Sequence, residues 1–95
     1  MGRRYRILTT SLYARDIKQC LKNDPQLINI INNAQEILAQ DPYNTTRRYN
    51  IKKLGGLRQG EGVFRLRIRD YRMRYDINKS DVILYTCRNR KDAYR

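Results

Sequence analysis

Between residues 64 and 75 arginine alternates with apolar side chains. Phe64, Leu66 and Ile68 fall on one side of an extended chain, with Arg65 and Arg67 on the other. After Arg69-Asp70, the residues Tyr71, Met73, Tyr75 and Ile77 resume the apolar side, and Arg72 and Arg74 lie opposite. With Arg69-Asp70 as the loop of a hairpin, the register follows: Ile68 faces Tyr71, Arg67 faces Arg72, Leu66 faces Met73, Arg65 faces Arg74 and Phe64 faces Tyr75. Two arginine pairs then stand about 5 Å apart at Cβ, and each opposes folding by some tenths to about 1 kcal/mol. A solvated sheet face selected only for stability would alternate acids with bases, so the uncompensated pairing points to a polyanion. Of the ten basic residues in 47–74, eight are arginine, whose planar fork grips phosphate through two parallel hydrogen bonds. Nucleic acid is the expected ligand.

Tyrosine is the second component, with eight Tyr against one Phe and no Trp. Tyr5, Tyr13, Tyr71 and Tyr75 have core roles by periodicity. Tyr43 and Tyr49 lie in basic, irregular stretches, where stacking on bases and ordinary surface exposure are equally good readings. Tyr94 sits among Arg88, Arg90, Lys91 and Arg95.

The elements that must hold these residues read as strand, two helices, then strands. Tyr5-Arg6-Ile7-Leu8 alternates as a short strand, and Thr9-Thr10-Ser11 offers cap oxygens. Tyr13, Ile17, Cys20 and Leu21 share one face of a helix. Asp24 then caps a second helix, with Pro25 in its first position. Leu27, Ile30, Ile31, Ala34, Ile37 and Leu38 form its apolar stripe, and Asp41-Pro42 ends it. So short a link makes the pair an antiparallel helical hairpin. Residues 43–62 are basic and glycine-bearing, and Ile51-Lys52-Lys53-Leu54 is a brief extended stretch within them. Beyond the arginine hairpin, Asn78-Lys79-Ser80-Asp81 turns again. Val82 to Tyr85 is apolar on both faces, so that strand is expected to be the more central and more buried one. The class is therefore α+β: one small domain over 1–95 with an N-terminal strand, a helical hairpin, and a three-strand antiparallel meander in one sheet.

Composition narrows the chemistry. The chain has 95 residues, 21 Lys+Arg against 9 Asp+Glu, a net charge of +12, no His and two Cys. Residues 1–42 contribute only +2 of that charge and residues 43–95 contribute +10. This length allows one core. Without His there is no His base or His-ligated metal, and two cysteines cannot build a zinc site unaided. No metal and no cofactor are expected. Two cysteines also fall short of a secreted disulfide framework, and no apolar segment reads as a signal or a span, so a reducing cytoplasmic setting without membrane contact is expected. Asp70, Asp76 and Asp92 form no carboxylate pair, which argues against glycosidase-like and two-metal reactions. Gly55-Gly56 and Gly60-Glu61-Gly62 lack the strand-to-helix setting of a nucleotide loop.

These motifs, in this order, resemble the RelE/ParE toxin superfamily of bacterial toxin–antitoxin systems. Ile51-Lys52-Lys53-Leu54-Gly55-Gly56 resembles its Lys-Leu-x-Gly stretch. Val63 through Tyr75 resembles its Tyr-Arg-Leu-Arg-Ile-Gly-Asp-Tyr-Arg-x-x-Tyr hairpin, and Asn89-Arg90-Lys91-Asp92-Ala93-Tyr94-Arg95 its His-Arg-Arg-Asp-Val-Tyr-Arg terminus. The resemblance covers nearly the whole chain and implies a RelE-like fold. Asn89 stands where many relatives have His, and Arg69 where they have Gly. RelE-type members cleave mRNA in the ribosomal A site, whereas ParE-type members poison DNA gyrase.

The RelE-type resemblance implies an mRNA interferase, a metal-independent endoribonuclease. It carries catalytic roles onto Arg65, Arg67, Arg72, Arg88 and Tyr94. Lys52, Lys53, Arg74, Arg90 and Lys91 are then further nucleic-acid contacts. The implied partners are the ribosome, mRNA, and a small, acidic, partly disordered antitoxin, in a hetero-oligomer able to bind operator DNA. Two alternatives stay open: a ParE-like gyrase inhibitor, and a non-catalytic basic nucleic-acid-binding protein.

Overall fold

A computed structural model of the chain describes residues 4–89. The element order is β1 (Arg6–Thr9), α1 (Ser11–Asn23), α2 (Leu27–Gln40), β2 (Ile51–Lys53), β3 (Phe64–Ile68), β4 (Tyr71–Asn78) and β5 (Asp81–Asn89). The strands form one mixed sheet in the order β1-β5-β4-β3-β2. The meander expected from the sequence gains β2 as an antiparallel edge strand beside β3, while β1 lies parallel to β5. Among the described residues no helix is long and apolar enough to cross a membrane.

The helices form where their apolar stripes predict. Thr10 caps α1: its Oγ1 accepts the Tyr13 N–H at 3.1 Å. The start of α2 differs from expectation. The Asp24 carboxylate accepts the Gln26 N–H at 3.2 Å as a cap does, but Pro25 and Gln26 form a tight turn, and the regular helix begins at Leu27. Asp41 ends it, its N–H donating to Ile37 O at 2.8 Å before Pro42.

The core lies between the helices and one sheet face. Tyr13, Cys20, Leu27, Ile31, Ala34 and Leu38 meet Leu66, Met73, Tyr75, Val82, Leu84 and Cys87 there. The buried phenols find acceptors: Tyr75 Oη donates to Pro42 O at 2.6 Å and Tyr13 Oη to Gln35 Oε1 at 2.8 Å. Burial pushes both phenols up from the ordinary tyrosine value. The Tyr43 ring meets Phe64 edge-on at 5.8 Å and Tyr5 at 6.4 Å, and Phe64 stacks on Tyr75 at 5.5 Å. Tyr49 packs against the same core. Tyr49 thus has a packing role, whereas Tyr43 keeps 54% of its surface exposed while its ring edge meets Tyr5 and Phe64.

The middle strand is β4, not β5 as the run Val82–Tyr85 suggested. β5 is interior only where β1 flanks it, from Asp81 to Leu84. Beyond Leu84, α1 takes over the side that β1 leaves.

Candidate functional site

The hairpin register is the one that the alternation dictates, in all five pairs from Phe64↔Tyr75 to Ile68↔Tyr71. Its loop places Arg69 at φ 53, in the left-handed region where glycine is easier. Arg65, Arg67, Arg72 and Arg74 thus share the face away from the helices. β2 adds Lys52, which pairs with Arg65. Lys53 pairs with Phe64 and so falls on the other side of the sheet.

How Arg88 joins this face was not evident from alternation. β5 buries Val82 and Leu84, so strict alternation would send Arg88 to the core side. A bulge intervenes. Arg74 pairs with Thr86 but Tyr75 pairs with Leu84, leaving Tyr85 as an extra residue. The phase of β5 is reversed beyond it: Cys87 enters the core opposite Met73, and Arg88 stands opposite Arg72. Thr10 holds the bulge, its hydroxyl lying 3.2 Å from Leu84 O and 3.3 Å from Tyr85 O. The cap of α1 therefore also fixes the strand irregularity that places Arg88.

Two rows of side chains result. One runs Lys52, Arg65, Arg74, Thr86 and the other Arg67, Arg72, Arg88. A cleft of about 260 Å³ is lined by Leu54, Arg65, Arg72, Arg74, Thr86 and Arg88. No acid lines it. The Nε of Arg65 is buried with no hydrogen-bond partner among the described residues. An unmet buried donor costs about 1–3 kcal/mol, and an anion seated in the cleft would relieve it.

The arginines differ in freedom. Arg74 is committed to the loop between β2 and β3: its Nη2 donates to Glu61 O at 2.7 Å and its Nε to Gly62 O at 3.2 Å. Of the site residues read from sequence, Arg74 thus has a wall-building role. Asp76, fully buried at the same end of the face, completes that clasp. Its carboxylate accepts the N–H groups of Gly60 and, at 2.7 Å, of Val63. Burial and a hydrogen bond to Asp76 both raise the Tyr85 phenol above its ordinary value. Gly62 adopts φ +79, and a Cβ there would come within 3.0 Å of Arg74 Cβ, so this close approach requires glycine. Arg88 leans toward α1, its Nε 3.5 Å from Asp16 Oδ2.

Asp16, Asp76, Gly62 and Tyr85 were not singled out by sequence reasoning. The Gly60-Glu61-Gly62 spacing was a visible signal for a loop needing glycine. Nothing in the sequence ties Asp16 to residues some seventy positions later. Arg90, Lys91 and Tyr94 lie outside the described residues.

Chemically, the face supplies fixed guanidinium donors for a phosphodiester and for the negative charge that grows on it during displacement. No protein-family model matches the sequence, and no curated protein matches it. Among solved structures, a chain of the RelB–RelE antitoxin–toxin complex from Methanococcus jannaschii is similar, with a TM-score of 0.56 and 21% identity. The match covers 92% of this chain and 94% of that chain. The likeness is one of fold, an α+β domain of the RelE-like kind.

Proposed function

We propose that this chain is the toxin of a toxin–antitoxin pair and acts as a ribosome-dependent endoribonuclease on mRNA. The carrying observation is the arginine face: Arg67, Arg72 and Arg88 share one register row, and Arg65, Arg72 and Arg88 line a cleft that has no acid among its described residues. The RelE-like fold and the motif resemblance favour the same reading.

In this reading the RNA 2′-oxygen attacks the adjacent phosphorus and the 5′-oxygen leaves. The products are a 2′,3′-cyclic phosphate and a 5′-hydroxyl. Arg65, Arg67, Arg72 and Arg88 hold the phosphate and stabilise the developing charge. Tyr94 stacks on a base or assists proton transfer, and Lys52, Arg90 and Lys91 hold flanking phosphates. Lys53, turned to the other face, has the weakest case. The proposed setting is the cytoplasm. The proposed neutralising partner is a small acidic protein that folds as it covers the arginine face.

Primer extension on mRNA from translating ribosomes is the test. Codon-phased cuts that disappear with Arg88→Ala and Tyr94→Phe support the proposal. Intact mRNA together with inhibited supercoiling by gyrase would overturn it in favour of the gyrase-directed reading.

A further inference from the structure

Asp16 lies on α1 with its side chain only 15% exposed, and it meets β5 just where that strand has lost β1 as a neighbour. Its Oδ2 accepts the Cys87 N–H at 3.0 Å and lies 3.5 Å from Arg88 Nε. One carboxylate oxygen thus satisfies a strand-edge donor and holds the next residue's guanidinium. Arg88, at 50% side-chain exposure, is the freer partner.

The position of this carboxylate matters because Arg88 stands opposite Arg72, which already faces Arg67. Three guanidinium groups in one row repel each other, and without an opposing charge Arg88 would swing into solvent. Half of the Arg88 side chain stays exposed, and Asp16 approaches it at Nε, the stem end of the guanidinium. It does so from the α1 side, where Arg88 borders a second cleft lined in part by Leu12, Arg15, Asp16 and Gln19. The carboxylate therefore counters repulsion without closing the arginine cleft, whose lining does not include it.

We infer that Asp16 is a positioning residue, holding Arg88 in the arginine row for its phosphate ligand. The inference rests on the proposed reading of that face as an RNA-phosphate site. Asp16 itself touches no substrate.

The test separates charge from capping. Asp16→Asn keeps an oxygen for the Cys87 N–H and removes the charge that holds Arg88. Two readouts need no ribosome: the Arg88 Nε–Hε resonance, assigned by its loss in Arg88→Ala, and affinity for a non-cleavable 2′-O-methyl oligoribonucleotide. The expected result is that Asp16→Asn shifts the Arg88 resonance and weakens the oligonucleotide several-fold. Melting should move by less than about 4 °C. In an Arg88→Ala background the same substitution should leave affinity unchanged. Where mRNA cleavage is observed, it should fall roughly ten-fold through kcat in Asp16→Asn. An unmoved Arg88 resonance, or an equal loss of affinity in both backgrounds, would overturn the positioning role. If wild-type protein cuts no mRNA, the endoribonuclease reading falls, yet the resonance and the binding cycle still decide the role of Asp16.

Discussion

Arg72 and Arg88 stand opposite one another on neighbouring strands because Tyr85 is an extra residue in β5. Were Tyr85 paired in regular alternation and not bulged, Arg88 would return to the core side, where Cys87 now packs against Met73. The bulge thus converts a strand that begins as core into one that ends as part of a charged surface. It is held from a distance by Thr10, which caps α1 and lies within reach of the carbonyls of Leu84 and Tyr85. Helix start, strand irregularity and arginine row are one linked arrangement.

Stability and ligand binding should oppose each other at the facing arginines. Arg67→Thr is expected to stabilise the fold by some tenths to about 1 kcal/mol, since Arg72 loses a like charge across the hairpin. The same change should lower the log–log salt slope for single-stranded RNA by roughly 0.7, the loss of one phosphate contact. Urea denaturation and salt-dependent binding measure the two effects. Sulfate should raise the melting temperature of the wild type more than that of Arg67→Thr.

Asp76 is expected to be the costliest single surface-loop anchor to remove. Asp76→Ala leaves the Gly60 and Val63 N–H groups without their acceptor at a fully buried position. A loss of about 2–4 kcal/mol is expected in denaturant titrations. Amide exchange should accelerate at Gly60 and Val63, as the wall of the arginine cleft loosens.

The two hairpin turns carry removable strain. Arg69 sits at φ 53 and Lys79 at φ 58. A non-glycine residue in that region is disfavoured by roughly 1–2 kcal/mol, partly offset by the entropy that glycine loses on folding. Arg69→Gly and Lys79→Gly should each stabilise by about 0.5–1 kcal/mol in equilibrium unfolding.

The arginine hairpin was legible because the two strands have period two and their loop is short, so one choice of turn set every pair. The helices were legible for a similar reason, their stripes being long and unbroken. The exact start of α2 was not: Asp24 makes its bond to the Gln26 N–H, but Pro25 and Gln26 suit a tight turn as well as a first helical turn. The bulge was hidden because Tyr85 is as apolar as its neighbours, so Val82–Tyr85 read as a buried run, not as a strand about to change phase. The roles of Asp76 and Asp16 were not legible because each carboxylate caps backbone N–H groups far along the chain, contacts that leave no mark on residue identity. Lys53 shows the limit of motif transfer: adjacent lysines on a strand cannot share a face.

Acid should destabilise the fold through the loop after α2. Burial alone would raise the Asp41 carboxyl, but the N–H and hydroxyl groups of Thr45 and Thr46 more than offset it and hold it below the usual 3.8. A depressed folded value stabilises above the unfolded value, and that stability is lost as pH falls through the folded one. Melting temperature should therefore drop as pH is lowered below about 4. Asp41→Asn should start less stable at neutral pH and show a shallower drop. Glu36, held at about 2 chiefly by the Arg4 hydrogen bonds, is exposed and should add little.

The central claim is that this face directs the RNA 2′-oxygen onto a phosphorus gripped by arginine. The most direct measurement uses ribosome-bound mRNA in which only the sugar 5′ to the scissile phosphate is 2′-deoxy. Wild-type protein should cut the all-ribose message and leave a 2′,3′-cyclic phosphate, and it should fail at the deoxy position. A cut that persists at the deoxy sugar would contradict the account.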